Sequence, residues 1–191
     1  MMPSMSNIQV VKHRPFLTPI WMTIATALLA FAAAVFLVWV WGTADSTTVI
    51  VIRHAEKEAV EGDPKLSDAG QARAALLASM FGDASRPGHL GAIYVTDTAR
   101  SQLTAAPLAR KLGLAPVVMK YQAVEAVCRR ALHEQSGGRA LIVGHSDTVP
   151  RIVAELSGSK QVASIADDDF GEMYIVTVPR IGRTNVLRLH Y

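Results

Sequence analysis

The sequence predicts an α/β fold: a three-layer helix-sheet-helix sandwich around a mostly parallel mixed sheet, preceded by one transmembrane helix. Three observations predict it. Short apolar runs, Val49 to Ile52, Ile93 to Val95 and Leu141 to Val143, alternate with stretches of helical spacing, the pattern of buried parallel strands joined by helices. Two extended runs, Glu172 to Pro179 and Thr184 to His190, flank a turn containing Gly182 and read as a hairpin at one sheet edge. Ahead of them all, Ile20 to Trp41 is almost wholly apolar.

No charged residue lies between Pro15 and Ala44. At about 1.5 Å per residue the apolar run makes a helix of about 33 Å, which spans the hydrocarbon core of a bilayer. Trp21, Trp39 and Trp41 fall at its two ends, where amphipathic rings settle at the water interface, so a membrane helix is preferred to a buried one. The chain then divides into an N-terminal tail (1–17), a transmembrane helix (18–41), a linker (42–46) and one domain (47–191). Lys12 and Arg14 precede the helix and only Asp45 follows it closely, which favours a single-pass protein with a cytoplasmic N-terminus and an extracytoplasmic domain. The competing reading is a signal peptide cleaved near Gly42-Thr-Ala44; the apolar run is longer than a usual signal core, which favours a retained anchor.

The soluble part has room for one core. Cys128 is the only cysteine, so no intrachain disulfide forms, and its neighbours Val124, Val127 and Leu132 make it a small buried side chain. The pI of about 9.2 reflects a modest surplus. Without Lys12, Arg14 and Asp45 the chain holds 17 basic and 15 acidic residues, too balanced for a nucleic-acid binder. Leu66-Ser67-Asp68 opens a helix with a hydroxyl cap; Leu76, Leu77 and Met80 mark its buried stripe and Gly82 ends it. A second helix spans about Ala99 to Leu112, kinked or interrupted near Pro107 and closed by Gly113. A third spans about Gln122 to Gln135, and Gly137-Gly138 leads into the strand Arg139 to Val143. After His145, the residues Ser146, Asp147 and Thr148 offer caps and Pro150 suits the first turn of a fourth helix.

Chemistry gathers where the apolar runs stop. Arg53-His54 follows Ile52, Gly144-His145 follows Val143, and Thr96-Asp-Thr-Ala-Arg100 follows Val95. The residues just past the ends of parallel strands line the rim where such sheets bind ligands. Two imidazoles and two guanidiniums on one rim describe a site for a phosphate, and the helix starting beside His145 would add unpaired amide N–H groups.

Four segments in order, Val51-Ile-Arg53-His54-Ala55-Glu56-Lys57, Leu66-Ser67-Asp-Ala-Gly70-Gln-Ala-Arg73-Ala74, Thr96-Asp-Thr-Ala-Arg100-Ser-Gln-Leu-Thr104-Ala105-Ala-Pro107, and Gly144-His145-Ser-Asp-Thr-Val-Pro150, resemble the signatures of the histidine phosphatase superfamily, also called the phosphoglycerate mutase-like family. The resemblance covers about Thr47 to Pro179. It implies a metal-independent phosphomonoester hydrolase without cofactor, in which His54 becomes a phosphohistidine and Arg53, Arg100 and His145 grip the transferred group. Independently of the family, a neutral imidazole can attack phosphorus near neutral pH, and guanidiniums bind the equatorial oxygens through paired N–H donors.

The proton donor to the leaving group is less defined. Larger relatives supply a glutamate from an insertion after the Arg100 helix, but here that region is reduced to Val117–Glu125. Glu56, Asp147 and Glu125 are the candidates, against the plainer readings of Glu56 as a solvated loop charge and Asp147 as a helix cap. Ser67, Gly70 and Arg73 read as structural, and Thr104 receives no role. His89, His133 and His190 are not at metal-ligand spacing, and Asp167-Asp-Asp169 lacks the spacing of a calcium loop, so no metal is expected. The partners implied are a phosphorylated substrate and, through the helix, a membrane. The short chain suggests an open site suited to a bulky phosphoprotein, lipid or glycan phosphate as much as to a small molecule. The alternatives are a phosphomutase of the same chemistry, which needs a closed pocket, and a non-catalytic membrane-anchored phosphate-binding module.

Overall fold

The computed structural model describes residues 19–44, 46–85, 88–159 and 162–191; the tail 1–17 with Lys12 and Arg14, and Asp45, lie outside the described residues. Two compact units divide near Trp39. α1 (Ile20–Ala44) forms the described part of the first as far as Trp39, and its last residues belong to the second. Within α1, Ile20–Val40 is long and apolar enough to cross a membrane, with mean hydropathy 2.4. Leu28, Phe31 and Phe36 are exposed. The helix continues through residues 42–44, which the sequence assigned to a linker, and the first strand opens at Ser46.

The second unit runs β1 (Ser46–Arg53), α2 (Asp68–Phe81), β2 (Ala92–Thr96), α3 (Ala99–Leu112), β3 (Val117–Met119), α4 (Val124–Glu134), β4 (Arg139–Gly144), α5 (Thr148–Ser157), β5 (Glu172–Pro179) and β6 (Asn185–His190). One six-stranded sheet has the order β3-β2-β4-β1-β5-β6. β3, β2, β4 and β1 run parallel, while β5 and β6 are antiparallel and form the hairpin at one edge. β3 was not foreseen: three partly exposed residues at the opposite edge carry too little pattern to announce a strand.

Strand residues alternate between two cores, which is why the runs read as continuously apolar. Val49, Val51, Tyr94 and Ile142 pack with Val127, Cys128, Ile152 and Val153 of α4 and α5. Ile50, Ile52, Ile93, Val95, Leu141 and Val143 pack with Leu77, Leu108 and Ala109 of α2 and α3. The fully buried Leu77 and Leu108 each contribute about 1.5–3 kcal/mol.

Two helices correct the sequence reading. The buried stripe of α2 is Gly70, Ala74, Leu77 and Ala78, while Leu76 and Met80 are exposed. Small residues are needed because the helix comes against backbone: a Cβ on Gly70 would lie 2.1 Å from the Glu56 carbonyl oxygen. Ser67 caps α2 by accepting the Gly70 N–H at 3.2 Å. α3 runs uninterrupted through Pro107 and closes on Gly113, whose φ of 67° suits glycine.

Candidate active site

Register sets the site. Arg53 pairs with Gly144 across the parallel β1–β4 ladder, so the residues that follow them, His54 and His145, emerge side by side. The His54 N–H donates to the Gly144 carbonyl at 2.9 Å, and the two rings meet edge-on with centroids 5.0 Å apart. β2 lies on the other side of β4, with Val95 opposite Val143, which brings the Thr96 hydroxyl 2.8 Å from His145 Nε2.

α3 is pinned to this rim by two buried hydroxyls. Ser101 Oγ donates to the Val143 carbonyl at 2.9 Å and accepts the Thr96 N–H at 3.2 Å. Thr104 Oγ1 donates to the Arg100 carbonyl at 2.7 Å and accepts the Ala55 N–H at 2.9 Å. Asp63 completes the start of α3: its carboxylate accepts the Ala99 N–H and lies 3.5 Å from Arg100 Nη1. So held, Arg100 Nε donates to His54 Nε2 at 3.3 Å.

That contact, with a second one on the far side of the ring, fixes the His54 tautomer. Nδ1 lies 2.8 Å from the Ala55 carbonyl, which can only accept, so Nδ1 carries the proton and Nε2 presents a lone pair. Burial, reinforced by the Arg100 and Arg53 charges, pushes the His54 pKa down to about 4. Burial and the neighbouring His54 and Arg100 push His145 down to about 3. Both rings are neutral at pH 7.

Arg53 is 5 % exposed. Its Nη1 donates to the carbonyls of Ala166 and Asp169 at 2.9 Å each, and its guanidinium stacks 4.0 Å from the Phe170 ring centroid. Its buried Nε–H has no acceptor among the described residues, a donor that a phosphate oxygen could satisfy. On the other flank the Tyr121 ring lies 4.1 Å from that of His145, and its hydroxyl donates to Asp147 Oδ1 at 2.7 Å.

The structure thus brings Arg53, His54, Arg100 and His145 together and distributes the three carboxyl candidates differently. Glu56 accepts both Arg73 Nε and Nη2, at 2.7–3.0 Å, and this pairing lowers its pKa. Asp147 is exposed at the N-cap position of α5 but caps nothing; the hydroxyl of Thr148 takes the His145 N–H instead, at 2.8 Å. Glu125 is exposed on α4, 3.9 Å from Arg151. Asp63, Ser101, Tyr121 and Phe170 were not singled out in the sequence, because each reaches the site through a loop or helix contact that leaves no local pattern.

The model of the histidine phosphatase superfamily (branch 1) matches residues 49–122, from within β1 through Arg53-His54, α3 and β3 to just before α4. Over that segment, which carries Arg53, His54 and Arg100, the chain matches the histidine phosphatase superfamily. No curated protein matches it. Among solved structures it is similar to the protein histidine phosphatase SixA complexed with tungstate, at TM-score 0.60 and 17 % identity, covering 75 % of this chain and 96 % of that one. It is also similar to the mycobacterial glucosyl-3-phosphoglycerate phosphatase Rv2419c, at TM-score 0.59 and 12 % identity, covering 74 % and 97 %. A third, mycobacterial hydrolase 2, has TM-score 0.57 and 13 % identity over 74 % and 89 %. At such identities these likenesses show the shared fold. His145 lies beyond the segment that matches the superfamily model, and the β1–β4 register is what returns it to His54.

Proposed function

We propose that this protein is a member of the histidine phosphatase superfamily and a phosphomonoester hydrolase that works through a phosphohistidine on His54 and needs no metal. The observation that carries the reading is the His54 ring: Nδ1–H is committed to the Ala55 carbonyl, leaving the Nε2 lone pair beside Arg100 Nε and the His145 ring. Nε2 attacks phosphorus as the P–O bond to the leaving group breaks. Arg53, Arg100 and His145 bind the equatorial oxygens and meet their charge in a site of low dielectric. Water then attacks the phosphohistidine and releases inorganic phosphate, freeing Nε2.

Of the three carboxyl groups, Asp147 best suits the proton donor. Its charge is felt by His145. Glu56 is held ionised by Arg73, and Glu125 pairs with Arg151 on a helix face. The Asp147 proton passes to the departing oxygen, and the carboxylate recovers one from the attacking water. Hydrolysis agrees with the fold's likeness to SixA, a protein histidine phosphatase, and Rv2419c, a glucosyl-3-phosphoglycerate phosphatase.

The N-terminal helix is read as a retained anchor that holds the domain at the outer face of a membrane, supported by its length, apolarity and terminal tryptophans. The test of the catalytic reading is rapid alkaline-quench labelling with a radioactive phosphoester: wild type is expected to trap a base-stable phosphoryl group that acid then releases and that His54→Ala lacks, and His54→Ala to lose turnover. Near-normal turnover by His54→Ala overturns the mechanism.

A further inference from the structure

The segments around the clamp are acidic out of proportion to the rest of the domain. Beyond Lys12, Arg14 and Asp45 the chain is nearly balanced, with 17 basic and 15 acidic residues. Yet the segments that leave the C-terminal ends of β1, β2, β3 and β4 (54–67, 97–98, 120–123 and 145–147), with the segment 162–171 that enters β5, hold nine carboxylates against three lysines. Three of the nine are matched locally: Glu56 by Arg73, Asp63 by Arg100, and Asp169 by the His190 ring. The other six, Glu58, Glu61, Asp97, Asp147, Asp167 and Asp168, are exposed and have no ion pair among the described residues.

The position of the 162–171 segment relative to the clamp is fixed by Arg53. Its Nη1 is bonded to two carbonyls of the 162–171 segment, and Phe170 of that segment packs on its guanidinium. Asp167, Asp168 and Asp169 all act on the Arg53 charge. A buried donor without an acceptor among the described residues, Arg53 Nε, therefore stands beside the acidic 162–171 segment, while the Asp147 charge acts on His145 from a second segment. At contact range the two guanidiniums govern, and a phosphate dianion is held. Further out, at distances approaching the Debye length of about 10 Å, the unpaired carboxylates govern and meet whatever carries the phosphate.

We propose that the site selects phosphoryl groups borne on a positively charged carrier, an extended lysine- or arginine-rich protein segment, and disfavours phosphate on acidic or multiply phosphorylated carriers. This rests on the hydrolase reading above and names its substrate class. An extended segment is favoured over a single small amine because unpaired carboxylates flank the clamp on two separate segments, Asp167 and Asp168 beside Arg53 and Asp147 beside His145, and a chain crossing the rim meets more than one of them. A second phosphate or a flanking glutamate faces the same carboxylates as like charge, the repulsive element from which specificity is built.

The test uses the full-length chain in a neutral detergent. kcat/KM is measured for phosphopeptides identical except for lysine, glutamine or glutamate flanks, and for phenyl phosphate and phosphoethanolamine, at low salt and in 0.5 M salt. The lysine-flanked peptide is expected to exceed the glutamate-flanked one by about tenfold or more at low salt, with the gap closing in high salt. The double variant Asp167→Asn/Asp168→Asn is expected to narrow that ratio severalfold, a readout independent of the overall rate. Phosphoethanolamine exceeding the lysine-flanked peptide would assign the positive carrier to a small amine and overturn the extended-segment proposal. Equal or better use of the glutamate-flanked peptide, or a gap indifferent to salt, overturns it while turnover of phenyl phosphate leaves the hydrolase reading standing. Failure to turn over any ester removes both.

Discussion

The Thr104 hydroxyl accepts the Ala55 N–H at 2.9 Å while donating to the Arg100 carbonyl, so one side chain links the residue after His54 to the backbone of Arg100. Thr104 is fully buried. Thr104→Val keeps the shape and strips the buried amide of its acceptor, which costs about 1–3 kcal/mol. Chemical denaturation should show a loss of that size. Because Arg100 and the His54–Ala55 backbone are then no longer coupled, kcat should fall more than KM rises. A variant as stable as wild type with unchanged kcat would remove Thr104 from the support of the site.

Much of this arrangement was legible in the sequence, for a physical reason. β1, β2 and β4 are buried on both faces, so they print as apolar runs whose ends point to the rim, and the chemistry stands immediately after those ends. α3 could be bounded because Gly113 and the break after Val95 punctuate it. The stripe of α2 was misread for the opposite reason: a helix lying against backbone uses Gly70, Ala74 and Ala78, which carry little hydrophobic signal, while the apolar Leu76 and Met80 face outward. Thr104 sits within a recognised motif, yet its two hydrogen bonds join positions 49 residues apart and four residues apart, and only the first explains it. Phe170 under Arg53 and Asp63 at Ala99 are long-range contacts of the same kind, with nothing local to announce them.

Glu56 and Arg73 make a test between structure and chemistry. Both side chains are about one-fifth exposed, and the pair is bidentate. Glu56→Gln should lower stability by about 1–2 kcal/mol, a charge-assisted pair discounted for partial solvent access. The alkaline limb of the pH–rate profile should survive, because a carboxyl held below its usual range cannot be the group whose deprotonation shuts activity off. Loss of that limb in Glu56→Gln would return Glu56 to the role of acid.

The two site histidines predict how stability varies with pH. In the unfolded chain each titrates near 6.5, and in the fold near 4 for His54 and near 3 for His145. Between those values the unfolded state binds more protons, so their contribution to stability rises with pH. It is fully present above about pH 7.5 and declines as pH falls through 6.5 toward 4. Denaturation midpoints should decline over that window, and His54→Gln/His145→Gln should flatten the decline. The imidazole NMR signals of wild type should stay in the neutral form at pH 5.5; titration of either near 6.5 would contradict the burial argument. Activity is a poorer gauge here, because a phosphate monoester itself titrates near pH 6.

Asp147 separates by leaving group. If its carboxyl protonates the departing oxygen, the need for it grows with the basicity of that oxygen. An alkoxide requires the proton; a nitrophenolate departs nearly without it. Asp147→Asn should therefore lower kcat/KM for an alkyl phosphate by about 10²- to 10³-fold and for p-nitrophenyl phosphate by only a few-fold. Tyr121→Phe removes the hydroxyl that donates to Asp147 at 2.7 Å and should give a milder loss with the same dependence on leaving group. The paired variants also guard against a purely structural explanation, since a displaced His145 ring, packed on Tyr121, would slow both substrates alike. Equal loss on the two esters would show that Asp147 holds the ring and the loop in place, and that the leaving group takes its proton from elsewhere.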